Sequence, residues 1–480
     1  MTRDEAQRRY CAFYEAINDL KQIKVIHLNA YRKGGYNKVV AVSFPLVLSM
    51  GSTTVMEFTD RIFLGNYSID ALAAAMPAGI TSFLFTSFFM GVVGYVSVFV
   101  AQYTGAKNKK GVGISLWQGI YFALIGGLFM TLLSCASEQI FAFIGHTQAI
   151  QTLEITYFRI LCIGTVTGLL GTSLSCFFSG RGVTTPVLII HTLGTVLNIP
   201  LDYALINGVW GFPEWGIMGA AVATVSSWIL IALLFAFALF TKKNNSEYHV
   251  LKAWKFDQEI FINLMKYGIP SGVQFFLEIL AFTFFILIVG RLGTEALAIS
   301  NIVLSLNALA YMPMFGFSMG LSTLVGQAIG KKRPDMAVKF TKATTHIVAV
   351  YLICLTILFV FFPEPLISLF LPDTLQPEES GSLLMSGVIL LRFVTLYLFF
   401  DSLAIIYTGT LKGAGDTKFI MTAFGTTAAF ILFIPVFFGV MLFDMGLYYS
   451  WSCLTFYIFI LYCIVFIRYR RGKWKDMQVI

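Results

Sequence analysis

The chain has 480 residues, 57% of them hydrophobic and only 12% charged, with a mean hydropathy of +0.79. Soluble domains average about 45–50% apolar and about 25% charged, so this composition excludes a soluble globular protein and places the chain in a membrane. A net charge of +8 would suit nucleic acid, but the cations gather at the ends of apolar segments, and no nucleic-acid partner is expected.

In chain order, residues 1–38 open with charge and lack the short apolar core and small-residue cleavage site of a secretory signal. The stretch "DEAQRRYCAFYEAINDLKQIKVI" reads as an interfacial amphipathic helix or as a solvated tail. Six apolar runs follow, over 39–65, 71–101, 112–136, 155–179, 183–206 and 216–240. The long polar connection 241–261, "TKKNNSEYHVLKAWKFDQEIF", then separates them from six more, over 262–290, 296–328, 340–362, 383–409, 419–443 and 445–467. Each run is long enough for a helix to cross a hydrocarbon core of about 30 Å. The expectation is an all-α membrane protein of twelve transmembrane helices: lobes over 39–240 and 262–467, a linker between them, and a basic tail over 468–480. Seven scattered cysteines without a C-x-x-C pair read as small apolar residues.

Lys and Arg occupy the N-terminal segment, alternate loops and the tail. Of the 33, only Arg61, Arg159, Arg291 and Arg392 fall on the opposite side. The positive-inside rule puts both termini in the cytoplasm, which demands an even number of spans and agrees with twelve. A multi-pass inner-membrane location follows.

The two halves are related. Residues 65–105 align without a gap to 290–330, a shift of 225, so that "LGNYSIDALAAA" meets "VGRLGTEALAIS" and "VFVAQYTGAKNKK" meets "TLVGQAIGKKRPD". Gly65/Gly290, Gly91/Gly316, Gln102/Gln327 and Gly105/Gly330 are identical pairs, and Pro45/Pro270 keep the same shift. A shift of 233 pairs Arg159 with Arg392 and "SGRGVTT" with "KGAGDTK". Six spans separate the copies, so both run in the same direction and a pseudo-two-fold axis along the membrane normal relates them.

Several stretches together resemble the multidrug and toxic compound extrusion (MATE) family over nearly the whole chain. They are "FTDRIFLG" to "DALAAA", "VAQYTGAKN", "GRGVTTP", "LNIPLDYALINGVWGFPEWGIMGAAVATV" and "GTLKGAGDTK". The resemblance, to the bacterial Na⁺-driven exporter branch in particular, implies two six-helix lobes in a V. It also implies export of organic cations and amphiphilic drugs against inward flow of Na⁺ or H⁺.

An ionisable residue deep in a span costs several kcal/mol unless it meets a partner or water. Asn198 and Asp202 lie one helical turn apart on one face, and Pro200 between them frees the carbonyl of Val196. Carboxylate, amide and carbonyl are hard oxygen ligands suited to a small cation such as Na⁺. The alternative is a kinked helix with an internally bonded Asp. Asp60 adds a carboxylate from the first span and Thr224 a hydroxyl. The resemblance implies that Asp60, Asn198, Asp202 and Thr224 form a coupling-cation or proton site in the first lobe. Glu57 and Arg61 flank Asp60 at helix-pair spacing, and Arg61 departs from the small hydroxyl residue expected after that Asp. His191, seven before Asn198, reads as structural first and as cavity-facing second.

The second lobe carries Glu278 in "FFLEILAFTFF", and Asp401 ending "YLFFD" with Tyr397 one turn earlier. The repeat pairs Glu278 with Thr53 and Asp401 with Gly168, so each half acquired its own acids. By resemblance, Glu278, Tyr397 and Asp401 form an acidic cluster for cation or substrate. No phosphate-binding loop, H-E-x-x-H or nucleophile elbow is present, so an enzyme is not expected and no cofactor is implied beyond the coupling ion. The expectation is a monomeric antiporter working by alternating access. The alternative is a flippase of lipid-linked saccharides, which would favour a cationic cavity, and a channel would repeat its acids by symmetry.

Overall fold

The computed structural model describes residues 35–370 and 377–480, without the side chains of 377–380; the N-terminal helix considered above lies outside them up to residue 34. Twelve described helices are long and apolar enough to span a bilayer. They are α1 Tyr36–Tyr67, α2 Ile69–Gly105, α3 Lys109–Ile144, α4 Gln148–Gly180, α5 Thr185–Asn207 and α6 Ile217–Leu239. After them come α7 Gln258–Leu292, α8 Thr294–Gly330, α9 Pro334–Phe361, α10 Gly381–Ala414, α11 Thr417–Phe443 and α12 Leu447–Arg470.

Most helices overrun the apolar runs by several residues, because polar caps extend a helix beyond what hydropathy sees. α3 begins three residues before its run, where the Asn108 Oδ1 accepts from the Gly111 amide at 2.9 Å. α7 starts inside the polar connection: the Asp257 Oδ1 accepts from the Ile260 amide at 3.0 Å, satisfying a first-turn donor. That connection also carries a short helix, Lys242–Tyr248. α1 and α7 each continue through a proline, Pro45 and Pro270, at the shift the repeat requires. In α11 a π-helical segment over Ala428–Phe433 sits just before Pro435, whose missing N–H breaks the regular ladder.

The repeat extends to the packing between lobes. Space for a side chain is missing at Gly91 of α2, where a Cβ would lie 2.7 Å from the Gly272 Cα of α7. It is missing equally at Gly316 of α8, where a Cβ would lie 2.8 Å from the Val47 Cα of α1. Both members of each contact obey the shift of 225, so α2 meets α7 as α8 meets α1. Even the turns repeat, since Lys107 and Lys332 share a left-handed backbone at φ 60° and 56°. Two six-helix lobes are thus related by a pseudo-two-fold axis along the membrane normal. Each swaps one helix start: Val39 and Val42 of α1 join the core of the second lobe, and Leu264 of α7 joins that of the first. The cations of the alternate loops collect at one end of the bundle, called here the lysine-rich end.

Candidate coupling site

In the first lobe, three helices bring four polar side chains together. α1 supplies Asp60, α5 supplies Asn198 and Asp202, and α6 supplies Thr224, all buried. α5 runs on as helix through Pro200, so Asn198 and Asp202 keep their common face. The Thr224 hydroxyl donates to the Asp60 Oδ2 at 3.2 Å. The Asp202 carboxyl is close enough to Asp60 and Asn198 to act on both. Yet the Asp60 Oδ1, both Asp202 oxygens, and the Asn198 oxygen and nitrogen have no hydrogen-bond partner among the described residues.

Burying one such atom unmet costs about 1–3 kcal/mol. Five such atoms side by side call for a partner from solution, a cation or water, or for a proton shared between the two carboxyls. Two carboxylates and an amide oxygen form a hard donor set that fits a small cation or a shared proton. Among the described residues no three His, Cys, Asp or Glu side chains gather as they would for a transition metal. The site lies toward the end of the bundle away from the lysines, since Asp60 stands in the last third of α1.

The second lobe treats its acid differently. The Glu278 Oε1 accepts from the Tyr311 hydroxyl of α8 at 2.6 Å. Its Oε2 accepts from the Gln274 Nε2, one turn earlier on α7, also at 2.6 Å. Asp401 of α10 lies half-buried within electrostatic reach of Glu278. Tyr397 is fully buried and stacked on Trp451 at 6.5 Å, and its hydroxyl bonds no described residue, Asp401 included.

The fold and these sites can be set beside known proteins. Residues 45–204 and 270–449 match the MatE family, and the two matched blocks begin 225 residues apart. The chain is 26% identical over 430 residues to a probable multidrug resistance protein NorM of Thermotoga maritima, covering 88% of this chain and 89% of that protein. It is 26% identical to the multidrug resistance protein NorM of Vibrio cholerae, covering 81% and 84% of the two chains. The multidrug resistance protein PmpM of Pseudomonas aeruginosa is 28% identical, with 81% and 80% covered. The chain belongs to the MATE family. It is therefore a membrane transporter and not an enzyme. Among solved structures, an outward-facing multidrug resistance MATE transporter superposes with a TM-score of 0.83 at 20% identity, covering 92% of this chain and 97% of that one. A MOP superfamily transporter from Pyrococcus furiosus gives 0.83 at 19%, with the same coverage.

Within this MATE fold, sequence reasoning missed three side chains. Gln274 was within reach of it, four residues before Glu278 on the same helical face. Tyr311 was not, because nothing in one sequence reports that α8 crosses α7 there. Tyr157 of α4 is the third, a buried phenol within electrostatic reach of both Asp60 and Asp202. Glu57 and Arg61 both stand exposed, within electrostatic reach of each other but without a direct ion pair. His191 packs edge-on against Phe235 at 5.7 Å, its Nδ1 buried without a partner.

Proposed function

We propose that this MATE transporter exports cationic or amphiphilic drugs in exchange for inward-moving Na⁺ or H⁺, as a monomer in the inner membrane. In this reading the lysine-rich end and both termini face the cytoplasm, in keeping with the positive-inside rule. Relatives named for multidrug resistance support the substrate class. The observation that carries the coupling is the set of five unmet polar atoms on Asp60, Asn198 and Asp202.

The cycle follows from elementary electrostatics. Two adjacent carboxylates in a low dielectric repel each other, so a proton or a cation settles between them when the site opens to the ion-rich side. With one of its two negative charges offset, the lobe then rocks against its partner and exposes the site to the other side, where the ion leaves. Glu278 and Asp401 supply negative charge to the second lobe and serve a bulky lipophilic cation or a further ion. Aromatic rings neighbour Glu278: Tyr311, which bonds it, stacks with Phe315 at 5.9 Å, and Phe315 stacks with Phe275 at 6.2 Å. Such faces attract a flat cation by burial and cation–π contact.

Efflux of a cationic dye from energised cells tests this reading, measured with a Na⁺ gradient, a H⁺ gradient, or neither. Export driven by at least one gradient and lost without both is expected. Downhill leakage that ignores both gradients would leave a channel, not an exchanger.

A further inference from the structure

The repeat's Gln102/Gln327 pair has a role that the acids do not explain. The Gln102 Nε2, on α2, donates to the carbonyl of Gly413 in the second lobe at 3.0 Å. The Gln327 Nε2, on α8, donates to the carbonyl of Gly180 in the first lobe, also at 3.0 Å. Gln102 and Gln327 are 225 apart, and Gly180 and Gly413 are 233 apart, so the two bonds are copies related by the pseudo-two-fold axis. Each glutamine reaches across the seam between lobes. The backbones meet there as well: a Cβ on Gly105 would overlap the Gln327 carbonyl oxygen, and one on Gly330 the Gln102 carbonyl oxygen. This seam lies at the lysine-rich end, because Lys107 follows Gly105 and Lys331 follows Gly330. It closes that end of the molecule.

The C-terminal residues break the symmetry. After α12 ends at Arg470, a short 3₁₀ turn, Lys473–Asp476, folds the chain back. Trp474 is buried in the core of the second lobe, stacked on Tyr469 at 5.6 Å, with its Nε1 donating to the Tyr469 carbonyl at 3.0 Å. Five residues later Val479 is buried in the core of the first lobe, with Ile480 packed beside it. The Val479 amide donates to the Gln102 Oε1 at 3.0 Å, so Gln102 bonds both Gly413 and the tail. The Arg468 guanidinium, held by Asp416 at 2.6 and 3.1 Å, fixes the root of the segment. A solvated basic tail has no reason to place a tryptophan in one lobe and a valine in the other.

We propose that residues 474–480 form a strap that bridges the two lobes and holds the lysine-rich end closed, acting on the gate made by Gln102 and Gln327. Release of Val479 frees Gln102 and favours the state in which that end opens. The role given to opening rests on the alternating-access reading above; the strap itself does not.

Hydrogen–deuterium exchange on the full chain in lipid nanodiscs tests the strap without substrate or gradient, so the result stands apart from the transport reading. Val479→Pro removes the amide that Gln102 accepts while keeping an apolar side chain. Val479→Asp drives the residue out of the apolar core. Either variant should raise exchange roughly five-fold, the factor expected for one lost neutral hydrogen bond, in both 96–106 and 322–332. Gln327→Leu should raise it in the same two segments while leaving 474–480 protected. Faster exchange confined to 472–480 in both Val479 variants would overturn the strap, and so would no change anywhere. Should Val479→Pro fail to fold, Val479→Asp alone decides.

Discussion

The two lobes share a backbone path, a seam and a pair of glutamines that cross it, yet they handle the acids of their spans in opposite ways. In the first lobe, Asp60 and Asp202 face each other with most of their oxygens unmet. In the second, both oxygens of Glu278 are occupied by Gln274 and Tyr311. The positions that correspond to the second lobe's acids are plain in the first. Thr53 folds its hydroxyl back to the Ser49 carbonyl at 3.1 Å, and Gly168 faces the Trp228 ring. Duplication therefore preserved what holds the lobes together, while the charges arose separately in each copy. An acid left unmet is free to exchange its partner with solution; an acid already bonded has to break something first.

The largest expected effect is at Asp202. Asp202→Asn keeps the shape and removes the charge, and gradient-driven dye efflux should fall at least about 100-fold at equal surface expression, since Asp60 alone lacks the paired carboxylate with which it would share an ion. Thermal unfolding in detergent should not suffer, because the buried carboxylate it removes has no donor at hydrogen-bond distance among the described residues. Uphill efflux near the wild-type level would erase the contrast between the lobes. Glu278→Gln should cost transport roughly ten-fold, and it should also lower the unfolding temperature, as two short hydrogen bonds are weakened. An unchanged unfolding temperature would show that these bonds do not hold the second lobe's acid.

Tyr311→Phe sharpens the same point with less force. Loss of one hydroxyl donor to Glu278 should destabilise by about 0.6–1.7 kcal/mol, the range for hydrogen bonds between membrane helices. Thr224→Val removes the hydroxyl that donates to Asp60. It should slow efflux a few-fold in a concentration series of the coupling ion, through a weaker apparent affinity for that ion. An unaltered affinity would remove Thr224 from the site.

Much of this was legible in the residues. The twelve helices followed from apolar length, because a bilayer leaves the chain few alternatives. The pseudo-symmetry followed from one constant offset, and the same offset locates the seam at Gly91, Gln102 and Gly105. The gathering of Asp60 with Asp202 rested on family resemblance, since α1 and α5 are far apart in sequence and nothing local joins them. Contacts between helices were out of reach for the same reason, which is why Tyr311 and Tyr157 went unnoticed. The C-terminal segment was hidden by its composition: Arg468 to Lys475 reads as a basic tail, and only tertiary packing reveals Trp474 and Val479 as anchors. The glutamines were visible as a repeat but mute as to partner, because each bonds a backbone carbonyl, which has no signature in sequence.

Tyr397→Phe carries the smallest expected effect and tests the comparison from the other side. Resemblance grouped Tyr397 with Asp401, but its hydroxyl is buried and unmet in this state, and its ring stacks on Trp451. Removing an unbonded buried hydroxyl should leave stability unchanged or raise it slightly, by no more than about 1 kcal/mol. If Tyr397 only packs, efflux and its pH profile should match wild type. If efflux falls while the unfolding temperature holds, the hydroxyl finds its partner in another state of the cycle, the nearest acid being Asp401. The second lobe would then keep an unmet group in reserve, as the first lobe does with Asp202, and the difference between the lobes would become one of timing within a shared design.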